Sequence, residues 1–329
     1  MSDTPNAPQV KAGTGLIDLN KIWGAFRPVL AQNGWTDWTI SKDPSADLTA
    51  MTDMGNARTN NEDAHAAWRF WPGGDLPAFT VLLIADGVGG EEFGEVASNL
   101  TIRTLSMDLI RIALSRHGAP TADDVKSSLR MAHDLVRSEG ARLDSFDRMA
   151  TTAVVAVLDG CNLHVTHVGD SRAYLFRQKK LQQITHDHSL MAELIRLNRI
   201  QPEEARTHKM RHMVTRVVGK DEVLEPETAS HVIEDGDQIL LCTDGLTDML
   251  EDPVIEKILQ DGASVPDRAA RLIQAALSAG GRDNVTVVLA ESPARNVGSA
   301  SQTPAGALAP ALAICHSGRV CTYIRKDKR

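Results

Sequence analysis

Cysteine is scarce in this 329-residue sequence: Cys161, Cys242, Cys315 and Cys321 are the only four. They are widely spread with no C-x-x-C spacing, which argues against a zinc site or a disulfide framework and for reduced thiols. No stretch approaches the ~20 apolar residues of a membrane span, and the amino-terminal MSDTPNAPQVKAG has no apolar region of a secretion signal. Excess positive charge is also absent. Lys plus Arg come to 35 against 43 Asp plus Glu, a formal charge of -8, which excludes a large basic nucleic-acid footprint. There is no internal repeat. What is left is a globular chain, 42% hydrophobic, expected to stay in the cytoplasm as a monomer, whose acid excess invites a search for cation ligands.

Organisation follows from composition. Residues 1–45 hold Trp23, Trp35 and Trp38 among Pro, Gly and Asn breaks, and read as an extension packed on the main domain. Residues 293–329 are biased to Ala, Ser, Pro and Gly and end in Arg325, Lys326, Lys328 and Arg329; such a segment buries little surface and reads as a low-complexity, disordered tail. Residues 46–292 are the remaining domain. Strand signals recur there at FTVLLIA (79–85), TAVVAVL (152–158), LHVTHV (163–168), 173–176, 181–184, QILLC (238–242) and NVTVVL (284–289). Asp159-Gly160 and Gln178-Lys179-Lys180 join two pairs as hairpins, which implies antiparallel sheet. Helical spacing runs from Phe93 to Arg116 through Val96, Leu100, Leu105, Leu109 and Ile112. It runs again from Thr121, where Thr121 and Asp124 make a capping box, through Val125, Leu129, Ala132, Leu135 and Val136. Two more helices are expected near 190–197 and 268–279. Hairpins with inserted helix pairs favour α+β layers over a parallel βαβ sheet.

The chemistry is signalled by aspartates beside apolar strands. Asp86 ends FTVLLIAD, Asp244 ends QILLCTD and Asp283 starts DNVTVVL, so each stands at a strand mouth where carboxylates on rigid supports can converge. Glycine follows Asp86 and Asp244, which permits positive φ or close approach of a carbonyl to an ion. Oxygen-only donors suit hard divalent ions, Mg²⁺ or Mn²⁺, rather than zinc. Two such ions about 3.5–4 Å apart, sharing Asp86, could generate hydroxide at neutral pH without a protein nucleophile. Upstream, Arg58 stands four residues before Glu62-Asp63; a guanidinium can hold two phosphate oxygens, and the carboxylate pair can order water around metal. Other motifs fail. Gly89 to Gly94 is followed by Glu95 where a P-loop needs lysine, and Gly169 to Ala173 lacks the last glycine of a nucleophile elbow. His186-Asp187-His188 reads as a turn rather than a metal site.

In order along the chain, DMGNARTNNEDA (53–64), ADGVGGEEFGEVAS (85–98), MATTA (149–153), HVGDSRAYL (167–175), THDHSL (185–190), MVTRVVG (213–219), CTDGLTD (242–248) and GRDNVTVV (281–288) resemble the motifs of the metal-dependent protein phosphatases, the PPM or type 2C serine/threonine phosphatases. The resemblance spans about residues 46–291. It implies a four-layer αββα sandwich, two antiparallel sheets flanked by helix pairs, with a binuclear Mn²⁺ or Mg²⁺ centre. Asp86 then corresponds to the bridging ligand and Gly87 to a backbone-carbonyl ligand of one ion, with Asp244 and Asp283 on the other. Asp170 corresponds to a third, weaker metal site, Arg58 to the phosphate clamp, and Glu62 and Asp63 to carboxylates that hold metal-bound waters. Residues 191–214 match the flap beside the active site. Catalysis would rest on Arg58, Asp86 and Asp244, and the partners implied are proteins phosphorylated on Ser or Thr, including a Ser/Thr kinase.

Two positions depart from the family pattern. Val88 stands where eukaryotic relatives carry a histidine general acid, which points to a bacterial-type enzyme and leaves the proton donor open between water, His65 and His167. Ala150 replaces the usual glycine before Thr151-Thr152. Two rival readings differ in class: a phosphohydrolase of a small phosphorylated metabolite, and a phosphoprotein-binding module without turnover.

Overall fold

The computed structural model describes residues 37–41, 47–72, 78–88, 93–144, 149–292, 311–316 and 319–324. The strands are β1 (Asp37–Ser41), β2 (Leu48–Asp53), β3 (Asp63–Trp71), β4 (Phe79–Val88), β5 (Ala150–Thr151), β6 (Ala153–Asp159) and β7 (Asn162–Val168), followed by β8 (Arg172–Arg177), β9 (Lys180–Gln183), β10 (Glu227–Val232), β11 (Gln238–Cys242), β12 (Val285–Glu291), β13 (Ala311–His316) and β14 (Arg319–Ile324). The helices are α1 (Gly94–Arg116), α2 (Ala122–Arg142), α3 (Leu190–Arg196), α4 (Pro202–Thr207), α5 (Asp244–Thr247), α6 (Asp252–Gln260) and α7 (Val265–Ser278). None of them is long and apolar enough to cross a membrane.

The strands make two antiparallel sheets. The larger has the order β1-β14-β13-β3-β4-β6-β7-β10, with β5 paired to the end of β4; the smaller has the order β2-β12-β11-β8-β9. Successive side chains of a strand point to opposite faces, so a strand covered on both sides must be apolar throughout. In β4, Val81, Leu83 and Ala85 pack with α1 and α2, whereas Leu82 and Ile84 pack between the sheets. In β11, Ile239 and Leu241 join that same inter-sheet core, and Leu240 and Cys242 face α6 and α7. Three cores therefore separate four layers, helices, sheet, sheet, helices, which is the αββα sandwich.

Local signals explain the connections. Gln178 and Lys179 both take positive φ (49° and 64°), as a two-residue type I′ hairpin requires between β8 and β9. Thr121 and Asp124 form the reciprocal capping box that starts α2. That helix contacts β7, and the close approach of α1 to the sheet is made by small residues, Ala97, Ser98 and Thr101, all fully buried. That packing corrects two positions on the expected apolar stripes: Val96 is 38% exposed and Leu135 is 42% exposed.

The sequence reading ends the domain near 292 and leaves 293–329 as a disordered tail. Residues 311–316 and 319–324 instead form the hairpin β13–β14, whose first strand pairs with the edge of β3, Ala311 opposite Trp71 and Cys315 opposite Ala67. Within the amino-terminal extension, residues 37–41 pair with β14. The physical reason is local: ALAICH and RVCTYI contain β-branched and aromatic residues in an alternation that the Ala, Ser and Pro bias of the whole segment hides.

Candidate metal centre

Every strand mouth named by the sequence lies at one end of the sandwich. Asp63 begins β3 and Asp86 lies near the end of β4, and the two stand directly opposite each other in register. Asp244 follows β11 and Asp283 precedes β12, the two central strands of the smaller sheet, which are themselves paired. Asp170 is in the loop between β7 and β8. Topology thus brings together carboxylates as far apart in sequence as Asp63 and Asp283, 220 residues.

Their surroundings are built to leave oxygens free. Asp63 is 2% exposed; its Oδ2 accepts hydrogen bonds from Thr243 Oγ1 (2.9 Å) and Thr286 Oγ1 (2.6 Å), while its Oδ1 is buried without a hydrogen-bonding partner. A buried orphan oxygen is costly, and a cation or its water is the natural complement. Burial pushes the Asp63 carboxyl up to about 7, although the two threonine hydroxyls work against the shift. Burial and then the neighbouring charges of Asp63, Asp244, Asp170 and Asp283 raise Asp86 well above the usual carboxylate range. Asp244 is raised in the same way by burial, Asp170, Asp248, Asp283 and Asp63. Burial and then Asp187 push Asp170 up to about 7. Carboxylates that raise one another's proton affinity face a common space, and without cations that space is unfavourable to the ionised forms.

The backbone holds this cluster through hydroxyls and one amide. The Asp86 N–H donates to Thr152 Oγ1 (2.9 Å), and the Asp86 carbonyl accepts from the Thr152 N–H (2.8 Å) and Thr151 Oγ1 (2.7 Å). The Asn284 side chain accepts from the Glu62 N–H (2.8 Å) and donates to the carbonyls of Met54 (2.9 Å) and Asn60 (2.8 Å), so it clamps the loop that carries Arg58. Arg58 Nη2 donates to Asp283 Oδ2 at 2.7 Å, and this is the guanidinium bonded to the cluster among the described residues. Glu62 is buried; burial raises its carboxyl, against the lowering by Arg58. Thr152, Thr243, Thr286 and Asn284 were not singled out by sequence reasoning. The available signal was their position, each adjacent to or within three residues of a named aspartate or its pairing strand.

Glycine has a different reason here from positive φ. Gly87 and Gly245 do not take positive φ. A Cβ on Gly87 would lie 2.4 Å from the Gly94 carbonyl oxygen and 2.8 Å from that of Glu62, and one on Gly245 would lie 1.9 Å from the Asn284 carbonyl oxygen. Close backbone approach selects glycine at both places. Val88 ends β4 opposite Ala150, and Ala150 needs no positive φ, which is why alanine fits there.

Of the two histidines considered as proton donors, His65 is buried on the β3 face that looks between the sheets, two residues beyond Asp63. His167 stacks on His188 with ring centres 4.7 Å apart, and its Nε2 bonds the His186 carbonyl at 2.8 Å. His188 Nδ1 accepts from the Gly169 N–H (3.2 Å), which leaves the proton on Nε2, 3.3 Å from Glu227 Oε2. Asp187 holds Arg172 through both carboxylate oxygens. The 186–188 turn therefore braces the Gly169-Asp170 loop by hydrogen bonding.

The site fits hard divalent ions: its donors are oxygens, one of them is an orphan, and backbone presses close at Gly87. A layered sandwich with such a carboxylate mouth defines a class of metal-dependent hydrolase folds. The family profile described as protein phosphatase 2C matches residues 48–285, and the chain belongs to that family. It is 35% identical over 259 residues to the serine/threonine protein phosphatase PstP of Mycobacterium tuberculosis, a match covering 79% of this chain and 47% of that protein, so the chain spans about half that relative's length. It is 30% identical over 253 residues to the protein phosphatase PhpP of Streptococcus pneumoniae, covering 74% of this chain and 96% of that one. The crystal structure of the PstP catalytic domain in complex with two manganese ions superposes with a TM-score of 0.63 at 32% identity, over 74% of this chain and 97% of that one.

Proposed function

We propose that this chain is a bacterial-type, metal-dependent protein serine/threonine phosphatase that hydrolyses phosphoserine and phosphothreonine, with residues 46–292 as its catalytic domain. The observation that carries the reading is the convergence of Asp63, Asp86, Asp170 and Asp244, whose carboxyls are raised by burial and by neighbouring carboxylates, with Asp283 and, among the described residues, a single bonded guanidinium. The named relatives with two manganese ions and with Ser/Thr phosphatase activity support it.

Asp86 and the Gly87 carbonyl would hold one Mn²⁺ or Mg²⁺, and Asp86, Asp244 and Asp283 the other, with Asp170 contributing to a third. When bound, such a pair supplies Lewis acidity that makes water nucleophilic at neutral pH and neutralises charge on the phosphoryl oxygens. Glu62 and Asp63 orient water through their carboxylates. Arg58 uses one N–H of Nη2 on Asp283 and keeps its remaining N–H donors for phosphoryl oxygens, so it positions phosphorus against the cluster. Val88 offers no proton, and the leaving serine or threonine oxygen takes one from water in the open mouth. Substrates are phosphorylated proteins, a Ser/Thr kinase among them, met in the cytoplasm.

The test is hydrolysis of an aryl phosphate and of phosphothreonine peptides with Mn²⁺, beside sugar phosphates and nucleotides. Turnover confined to the metabolites would replace the protein substrate with a small one, and metal binding without any turnover would favour a binding module.

A further inference from the structure

We infer that His133, on the outer helix α2, is a positioning residue of the carboxylate mouth: its neutral imidazole latches residues 218–219 against β5 and so fixes the Gly87 carbonyl near the end of β4. The inference rests on the phosphatase reading only in taking that carbonyl as a metal ligand.

His133 is buried, 1% exposed, and both of its ring nitrogens are occupied by the backbone of one loop. The Gly219 N–H donates to Nδ1 at 3.1 Å, and Nε2 bonds the Asp221 carbonyl at 2.9 Å. An amide N–H only donates and a carbonyl only accepts, so the two contacts dictate one tautomer, with the proton on Nε2 and Nδ1 bare. The cation carries N–H at both nitrogens and would turn Nδ1–H against the Gly219 N–H. Arg130 and Arg137, three residues before and four after on the same face of α2, bond the carbonyls of Leu224 (3.3 Å) and Glu222 (3.2 Å). Among the described residues, His133 supplies the acceptor that α2 offers to an amide of this loop.

The latch reaches the mouth in two steps. Val218 and Thr151 exchange both backbone hydrogen bonds (2.8 and 3.1 Å), and Thr151 stands opposite Gly87 in the β4–β5 pairing while its Oγ1 holds the Asp86 carbonyl. Strand β5 has two residues, too few to keep its own register, and Val218 flanks it on the side away from β4. Gly219 lies tight between the layers at φ 102°. A Cβ there would stand 2.5 Å from Val136 Cγ1 and 2.7 Å from the Met149 carbonyl oxygen, so the loop shifts only if α2 or β5 shifts with it.

Burial lowers the proton affinity of the His133 ring below that of an ordinary histidine, and Arg137 lowers it further, against the Asp221 carbonyl and the charges of Asp134 and Asp221. The latch is therefore at full strength above the ordinary histidine value of about 6.5 and weakens as pH falls below it. That sign is opposite to the one set by the mouth carboxylates, which makes the two separable by substitution at 133.

The experiment compares the full chain with two variants. His133→Asn places an oxygen where Nδ1 stands and accepts from Gly219 without titrating; His133→Gln reaches the Asp221 carbonyl but lacks that acceptor. Amide hydrogen exchange of residues 149–153 and 217–220, corrected for intrinsic rates, is followed without metal at pH 7.5 and pH 5. The Asn variant keeps every carboxylate, so the ratio of its protection to that of the unaltered protein isolates His133. That ratio is expected within about twofold of one at pH 7.5 and at least about threefold higher at pH 5, while His133→Gln loses at least about threefold in protection already at pH 7.5. With Mn²⁺ at pH 7.5, His133→Gln is expected to bind the ion at least about threefold more weakly and to lose kcat on a phosphothreonine peptide by a similar factor, with KM unchanged and His133→Asn keeping both. A ring that only filled space would give the opposite order, since glutamine is nearer to histidine in volume. Protection or Mn²⁺ affinity in His133→Gln equal to that of the unaltered protein would overturn the inference, as would an Asn ratio that does not change with pH. Hydrolysis by the unaltered protein is assayed separately: its absence would remove the phosphatase reading and leave the exchange result standing.

Discussion

Strand β11 is flanked by an aspartate at each end, Asp237 buried and Asp244 half-buried, and the two ends differ most in what faces the carboxylate. Asp237, just before the strand and 2% exposed, accepts from Arg177 Nε and Nη2 (2.6 Å at the shortest) and from the Glu234 N–H (2.7 Å). Asp244, just after the strand, faces Asp170, Asp248, Asp283 and Asp63 with no guanidinium of its own among the described residues, and burial together with those neighbours raises its carboxyl well above the usual range. One end is a finished corner in which charge is balanced internally. The other is balanced only when cations arrive from solution. A carboxylate's role is therefore read from what faces it, since the residue type is the same at the two ends.

The largest test of that contrast is to neutralise each end in turn. Asp244→Asn, or Asp86→Asn, is expected to lower kcat/KM on a phosphothreonine peptide by at least about 10³, roughly 4 kcal/mol of transition-state stabilisation, while the metal-free protein melts no lower than before. Asp237→Asn is expected to do the reverse. It leaves the half-buried Arg177, which keeps its pair with Glu234, against a neutral partner and costs about 1–3 kcal/mol of stability, with turnover per folded molecule unchanged. Thermal melting and steady-state kinetics on both variants measure the two columns of effect. Should Asp244→Asn melt far lower without metal, the two ends would be alike and the contrast would fail.

Next in size is the pH dependence of the metal-free protein. Asp63 and Asp170 are pushed up to about 7, above the ~3.9 of an unfolded aspartate, so between those values the folded state holds more protons than the unfolded one. Stability must then fall as pH rises from about 4 through 7, by on the order of 2–4 kcal/mol for the coupled group as a whole. Melting with chelator present is expected to drop between pH 5 and pH 8, and Mn²⁺ is expected to restore it at pH 8 with little effect at pH 5. A metal-free melting temperature that climbs over this range would contradict the sign.

The same contrast shows how much could be read in advance. Strands β4, β11 and β12 are plain in the sequence because both their faces are buried, and the aspartates at their mouths stand out against the apolar runs. Strand β3 is not plain, since Asp63, His65 and Arg69 occupy its inter-sheet face, and β10 is a polar strand at the edge of its sheet, where Thr228 and Ser230 bond Thr166 and His164. Nor could sequence separate the two ends of β11. The partner of Asp237 is 60 residues away and the threonines that hold Asp63 are 180 and 223 residues away, so only the assembled sheets decide which carboxylate is satisfied.

A smaller effect is expected at Arg58, the cation that the cluster does have. Its Nη2 bond to Asp283 competes with any ion that Asp283 would bind. Arg58→Ala is expected to lower kcat/KM by about 10- to 100-fold, the 1.5–3 kcal/mol of hydrogen bonds to a charged group, and at the same time to tighten Mn²⁺ binding several-fold. Titration calorimetry beside kinetics separates the two directions. Weaker Mn²⁺ binding in this variant would mean that Arg58 helps to build the site rather than to share it.

The smallest effect concerns Ala150, which lies fully buried opposite Val88 in the two-residue strand β5, beside the Asp86-Gly87 mouth. A glycine there would be needed if the backbone took positive φ or if a methyl had no room. The backbone does not take positive φ, and the alanine is accommodated between Val88 and the Thr151-Thr152 hydrogen bonds to Asp86. Ala150→Gly then removes one buried methyl and adds chain entropy to the unfolded state, which together cost about 1 kcal/mol. The variant is expected to melt a few degrees lower and to keep kcat/KM within about twofold. If activity moved more than stability, the methyl would be shaping the carbonyl end of Gly87, and the mouth would be less indifferent to its second row of residues than the hydrogen bonds imply.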